Sequence, residues 1–99
     1  MKKQIESATV VRASGDQMSC DLDGEAAVLH LPSGVYFGLD EVGARIWKMV
    51  QSDVSVEAIQ LGLLEEYEID SETCAEDVRR LLGEMWEVGL VEIVEGGEE

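Results

Sequence analysis

Histidine occurs once in this sequence, as His30, and cysteine twice, as Cys20 and Cys74. These are the side chains best suited to act as general base, nucleophile or soft metal ligand near neutral pH. Their spacing argues against each role. Structural zinc sites gather about four ligands, usually with two of them only a few residues apart, and Cys20, His30 and Cys74 form no such pair. A nucleophilic thiol needs a base or cation beside it, and neither cysteine has one next to it in sequence. The thiols therefore read as small apolar residues and His30 as a strand histidine satisfied by its neighbours. Carboxylates are plentiful, but Glu65-Glu66 and Glu98-Glu99 fall on a solvated helical face and an acidic tail. Acid–base work would need two carboxylates held in a pocket, and no stretch signals one. Glycines lie at turns and helix ends, without the G-x-G-x-x-G or Walker spacing that cradles phosphate. The residues point to a non-catalytic protein with no metal and no cofactor.

The chemistry that remains is hydrogen bonding by an open backbone edge. Residues 29–40, LHLPSGVYFGLD, read as the end of a strand, a tight turn, a second strand and the start of a helix. Pro32, the only proline, presets φ for a turn, and Gly34 accepts positive φ. Val35, Tyr36 and Phe37 are β-branched or aromatic and favour a pleated, half-buried surface. Asp40 is placed to cap a helix beginning at Glu41. Within this strand Val35, Phe37 and Leu39 share the expected core face, and Tyr36 projects to the other.

The elements around that strand follow from periodicity. Residues 1–15 are a polar lead-in, partly ordered, whose β-like run Thr9-Val10-Val11 either pairs at a far sheet edge or frays. Residues 18–22 alternate as a half-buried strand does, and Asp23-Gly24 is a strong hairpin signal. Residues 26–31 make the next strand, so the expected sheet is a three-stranded antiparallel β-meander. From residue 40 the period changes to 3.6. Val42, Ile46, Trp47 and Val50 stripe one helix, and Val56, Ile59, Leu63, Leu64 and Tyr67 a second, capped by Ser55. A third helix, capped by Asp70 or Ser71, carries Cys74, Val78, Leu81, Leu82, Met85 and Trp86 and stops at Gly89. Leu90-Val91-Glu92-Ile93-Val94 is an apolar tail expected to pack beneath the helices, and residues 95–99 an acidic frayed end. The fold class expected is α+β, winged helix-turn-helix-like, with one domain over residues 16–94.

Ninety-nine residues with 45% apolar content support a single core. Against 7 Lys+Arg stand 22 Asp+Glu, a formal charge of −15. That field repels nucleic acid and anionic membranes. It weighs against the DNA-binding role that a winged helix would otherwise raise, since the third helix offers only Arg79 and Arg80 among many carboxylates. No apolar run approaches the ~18 residues of a membrane span, and Met1-Lys2-Lys3-Gln4 has no apolar stretch behind it. A cytoplasmic protein with reduced thiols is expected.

The third helix carries more apolar positions than one face needs. Cys74, Val78, Leu81 and Met85 form one stripe, while Leu82 and Trp86 are offset by roughly 100°, one residue's rotation. Such a helix is either deeply buried or covers a second, partly open groove.

The run Leu22-Asp23-Gly24-Glu25-Ala26-Ala27-Val28-Leu29 and the run Ser33 to Trp47, SGVYFGLDEVGARIW, resemble the PqqD family. So do Leu64-Glu65-Glu66-Tyr67, Asp77-Val78 and Gly89-Leu90-Val91, so that the similarity spans residues 16–94. Asp40 stands where the family commonly has Asn at the helix start, a conservative cap. The resemblance implies a leader-peptide recognition element for ribosomally made, post-translationally modified peptides. The leader would add as an antiparallel strand beside residues 35–39, over the groove to the third helix. Joined to the open edge and the spare apolar face read above, this makes the candidate peptide-binding set the backbone of Val35, Tyr36, Phe37 and Gly38 together with Cys74, Asp77, Val78, Leu81 and Met85. Its implied partners are the leader region of a precursor and a modifying enzyme or cysteine-protease-like leader peptidase. With no fused enzyme domain, the stand-alone lasso-peptide type is expected. The alternatives are a chaperone for the pyrroloquinoline quinone precursor peptide and a winged-helix adaptor or DNA-binding domain.

Overall fold

The computed structural model describes residues 5, 6 and 8–94; the acidic end expected over residues 95–99 lies outside them. Two antiparallel sheets sandwich their cores against three helices, an α+β fold for which winged helix is a loose description. The first sheet is the expected meander, with order β2-β3-β4: β2 is Gln17–Leu22, β3 Glu25–His30 and β4 Val35–Leu39. Leu22 pairs with Glu25 around Asp23 and Gly24, whose φ values of 58° and 93° are the two positive angles of a type I′ turn. Leu31, expected in the strand, lies instead in the turn to β4. There the Gly34 N–H, with φ 73°, donates to the His30 carbonyl at 2.8 Å.

The second sheet has order β5-β1-β6, where β1 is Val10–Ala13, β5 Val54–Ser55 and β6 Val91–Val94. The β-like run near the N-terminus is thus a central strand, paired through Val10↔Val94 to Ala13↔Val91 on one side. Residues 90–94 do pack on the third helix, but as a strand rather than an apolar tail. Ordinary sheet pairing accounts for the burial of Val11 and Val91, while Arg12 on the outer face reaches Glu92 at 3.6 Å and Asp53 at 3.9 Å.

Each helix begins at a side-chain cap. Asp40 Oδ1 accepts the Gly43 N–H at 2.8 Å and starts α1, Glu41–Met49. Ser55 Oγ accepts the Ala58 N–H at 3.1 Å and starts α2, Val56–Glu66. Asp70 Oδ2 accepts the Glu72 and Thr73 N–H groups and starts α3, Ser71–Val88. Arg45 on α1 makes a two-pronged bond to the Glu66 carboxylate at the end of α2, Nε at 2.9 Å and a terminal nitrogen at 2.8 Å. That hydrogen bond holds the Glu66 carboxyl below its usual range and pushes Arg45 up. Both groups face solvent, so the pair orients two helices more than it stabilises them.

The core joins both sheets and all three helices through Val11, Val28, Ile46, Val50, Ile59, Leu63, Leu82, Met85 and Leu90. Gly89 ends α3 in the left-handed region at φ 92°, and the next N–H, from Leu90, returns to the Met85 carbonyl at 2.8 Å. A Cβ at Gly89 would stand 3.0 Å from His30 Nε2, and the ring is held by a 2.7 Å hydrogen bond between Nδ1 and Ser33 Oγ. Gly89→Ala therefore meets both a strained backbone and a fixed ring. It is expected to lower stability by about 1–3 kcal/mol, read as the shift of a denaturant midpoint. An unchanged midpoint would mean that the α3 terminus can reorganise.

Candidate functional site

Among the described residues, the meander leaves β4 at one edge, with β3 as its one strand neighbour. In an antiparallel strand alternate backbone groups face opposite neighbours. Half of those in β4 thus bond to β3, through the register His30↔Val35 to Ala26↔Leu39, and the other half point away from the sheet. Val35, Tyr36 and Gly38 are exposed, Phe37 is half-buried and Leu39 is in the core. No charge, proline or bulge blunts this edge, the usual protections of a strand that must not pair.

At the C-terminal end of β4 the edge opens onto a cleft of about 480 Å³. One wall is Gly38, Leu39, Asp40, Val42 and Gly43, where β4 turns into α1; the other is Cys74, Asp77, Val78, Arg80 and Leu81 of α3. Ile46, Leu63 and Ile69 complete an apolar floor. At about 100° per residue, the buried arc of α3 runs through Cys74, Val78, Leu82 and Met85. Leu81 and Asp77 fall on one shoulder of that arc, toward the cleft, and Trp86 falls on the other. The apolar excess of α3 is thus resolved into a core arc and a half-open shoulder.

The expected site residues divide accordingly. Gly38, Cys74, Asp77, Val78 and Leu81 converge on the cleft, and Val35, Tyr36 and Phe37 extend along the edge beyond it. Met85 does not belong with them. Its side chain is fully buried and absent from the cleft wall, because it faces the core between the two sheets and cannot meet a ligand. Leu82, set apart in the sequence pattern, is likewise core. Pattern reading missed Val42, Ile69 and Arg80; Val42 had the signal, standing two residues after the Asp40 cap on the helix that continues β4.

The polar groups here are suited to binding and not to proton transfer. Burial pushes the Cys74 thiol up, and the nearby Asp77 charge adds to it. The thiol stays protonated and donates weakly to the Gln60 carbonyl at 3.8 Å, as an inert buried cysteine does. Arg80 and Asp77 form an exposed ion pair of 3.0 Å at the rim. Such a pair is worth little alone and re-partners easily.

A family model, Coenzyme PQQ synthesis protein D (PqqD), matches residues 25–91, which contain the whole of β4, the cleft and α3. The chain belongs to the PqqD family. Two solved structures share the fold of this PqqD-family protein. One, "TbiB1 in Complex with the TbiA(beta) Leader Peptide", is 34% identical, with a TM-score of 0.76 over 86% of this chain and 99% of that one. The other, "Lasso peptide synthetase B1 complexed with the leader peptide", is 22% identical, with a TM-score of 0.71 over 83% and 96%; at that identity it speaks for the fold alone. Among curated proteins no match is found. Among the described residues, no helix is long and apolar enough to cross a membrane.

Proposed function

We propose that this protein captures the leader segment of a ribosomally made precursor peptide by adding it as a strand to β4, and presents it to the enzyme that processes the peptide. The observation that carries this is the meeting of an open strand edge with an apolar cleft at one end of it. The edge offers main-chain hydrogen bonds to any extended chain, and the cleft selects among chains by taking alternate side chains. The five residues of β4 match a bound strand of about 17 Å. Kinship at 34% identity with a protein solved in complex with a leader peptide supports a leader segment as the ligand, and a lasso-type precursor is the class this reading takes first. The role is non-catalytic. A cytoplasmic setting belongs to the same reading and suits the free thiols of Cys20 and Cys74.

Two or three anchors buried at about 1.5–3 kcal/mol each, with strand hydrogen bonds added and ordering costs removed, give a micromolar to submicromolar Kd. Titrating a fluorescent leader segment with the protein is expected to saturate in that range, and the same residues in scrambled order are expected to bind far more weakly. Equal binding of both peptides, or of neither, would refute the reading.

The charge of −15 should steer basic leader segments and slow association as salt screens it. Apolar anchors hold the bound state, so affinity should fall less than about tenfold between roughly 50 and 200 mM salt, where a phosphate binder loses far more. Stopped-flow and equilibrium titrations over that range separate the two effects. A steeper loss of affinity would mean that charge, not the cleft, holds the ligand.

A further inference from the structure

Among the described strands glycine occurs once, as Gly38 in β4. A glycine inside a strand weakens it, since it loses much backbone freedom on folding and brings no side chain to pack. It is expected there only where a bulge, an unusual backbone angle or a close neighbour requires it. Gly38 meets none of these needs in the free protein. Its φ lies outside the left-handed region that Gly24, Gly34 and Gly89 occupy. It pairs in unbroken register with Ala27, between Val28↔Phe37 and Ala26↔Leu39. A Cβ at this position would meet no atom within 4 Å, whereas one at Gly43 would press on the Leu39 side chain at 3.2 Å.

The register also gives the surroundings of the missing side chain. Leu39 is buried and Phe37 half-buried, so the bare side of Gly38 lies on the other face of the strand, with the exposed Tyr36. Its neighbour in β3 is Ala27, too small to reach over and cover it. On the opposite side β4 has no strand neighbour among the described residues.

We propose that Gly38 is a specificity residue for the leader: its absent side chain makes room for one aromatic residue of the bound strand, at the position directly opposite it. The proposal rests on strand addition at β4 and adds to it a side chain that the peptide must carry. Directly opposed residues on adjacent antiparallel strands hold their Cβ atoms about 5 Å apart. A ring on the added strand can therefore fold back over the bare Cα of Gly38, where any host side chain would hold it off. Covering an edge glycine with a cross-strand aromatic restores what the glycine takes from the sheet. Ala27 cannot supply that cover, so it must arrive with the peptide. Tyr36, 68% exposed and two residues away on the same face, stands diagonally from the incoming ring and offers it an edge-to-face contact. Alternate residues of the same peptide turn toward the cleft, so the two sides of the leader strand are read separately.

The test uses the full chain with Gly38→Ala and Gly38→Val. The probe is a fluorescent leader segment of the precursor encoded in the same gene cluster, with each residue replaced in turn by Phe and by Ala. With the parent, one position is expected to prefer Phe to Ala by about tenfold. The α-protons of Gly38 should move upfield on binding the Phe peptide and not the Ala peptide, as a ring lying over them requires. Gly38→Ala should reduce that preference and Gly38→Val should bring it within about twofold, with the Phe-to-Ala ratios at other positions unchanged. Both variants should melt at or above the parent, because the free protein gains a better strand former.

The absence of any position whose Phe preference depends on residue 38 would overturn the proposal. So would an equal loss of Phe and Ala peptides in Gly38→Ala, which would mean that the leader backbone itself needs the space. A lower melting temperature for Gly38→Ala would overturn it too, since the glycine would then serve the fold. A parent protein that binds none of the peptides refutes the underlying leader reading instead, and that failure is visible before any variant is made.

Discussion

Leu81→Glu is expected to lower leader affinity by about tenfold to hundredfold while the protein stays folded. Leu81 is half-buried on the cleft shoulder of α3, so a glutamate there can turn its carboxylate toward water in the free protein. A bound peptide closes that route and leaves the charge facing an apolar floor of Ile46, Leu63 and Ile69 with no cation assigned to it. Arg80 on the same rim is exposed and shared with Asp77, so pairing with it would hold the new carboxylate at the solvent edge and offset little of its cost beneath a bound peptide. The neighbouring change Leu82→Ala gives the contrasting result. Leu82 is fully buried, and truncation there costs about 2–5 kcal/mol of stability without touching the cleft wall. Calorimetric titration beside a melting curve reads both variants. If Leu81→Glu unfolds the protein, the shoulder of α3 is core and the cleft is closed in solution; if it binds as the parent does, the leader does not enter the cleft.

The contrast between these adjacent leucines marks where pattern reading stops. Both are apolar, both lie on a strong helical signal, and rotation by one residue separates core from cleft. Deciding between them requires knowing where β4 lies across the cleft from α3, an arrangement of residues about forty positions apart in sequence. The local devices were legible because each is a short-range physical necessity: positive φ at Asp23 and Gly24, the Asp40 cap, the Gly89 stop and the change of period after Leu39. The second sheet was not. Val10–Ala13 and Val91–Val94 are brief apolar runs at opposite ends of the chain, and neither sequence alone names the other as its partner. All three helices lie between the two runs in the chain, and the pairing is specified by the long-range burial of Val11 and Val91 in the shared core. Met85 was misplaced for a related reason. It lies in line with Leu81 on the helical stripe, yet one turn further along that stripe has passed the end of the cleft and entered the core.

Native-state hydrogen exchange should show the strand mechanism directly, through a large rise in protection at alternate amides of Val35–Leu39 when a leader peptide binds. The N–H groups of β4 that already donate to β3 exchange only when the sheet opens. Those pointing outward have no strand partner among the described residues, so they should exchange early. Pairing with an added strand would hold them closed in proportion to peptide affinity, which at about a hundred times Kd means roughly hundredfold slower exchange. The amides of α3 should change much less, since the hydrogen bonds of its interior are made within the helix before any ligand arrives. A peptide held only by its side chains in the cleft would give the opposite pattern, with protection gained around α3 and residues 35–39 still exchanging with water. Protection at every amide of β4 alike would point to a general tightening of the sheet, because only a new neighbouring strand distinguishes the outward set from the inward one.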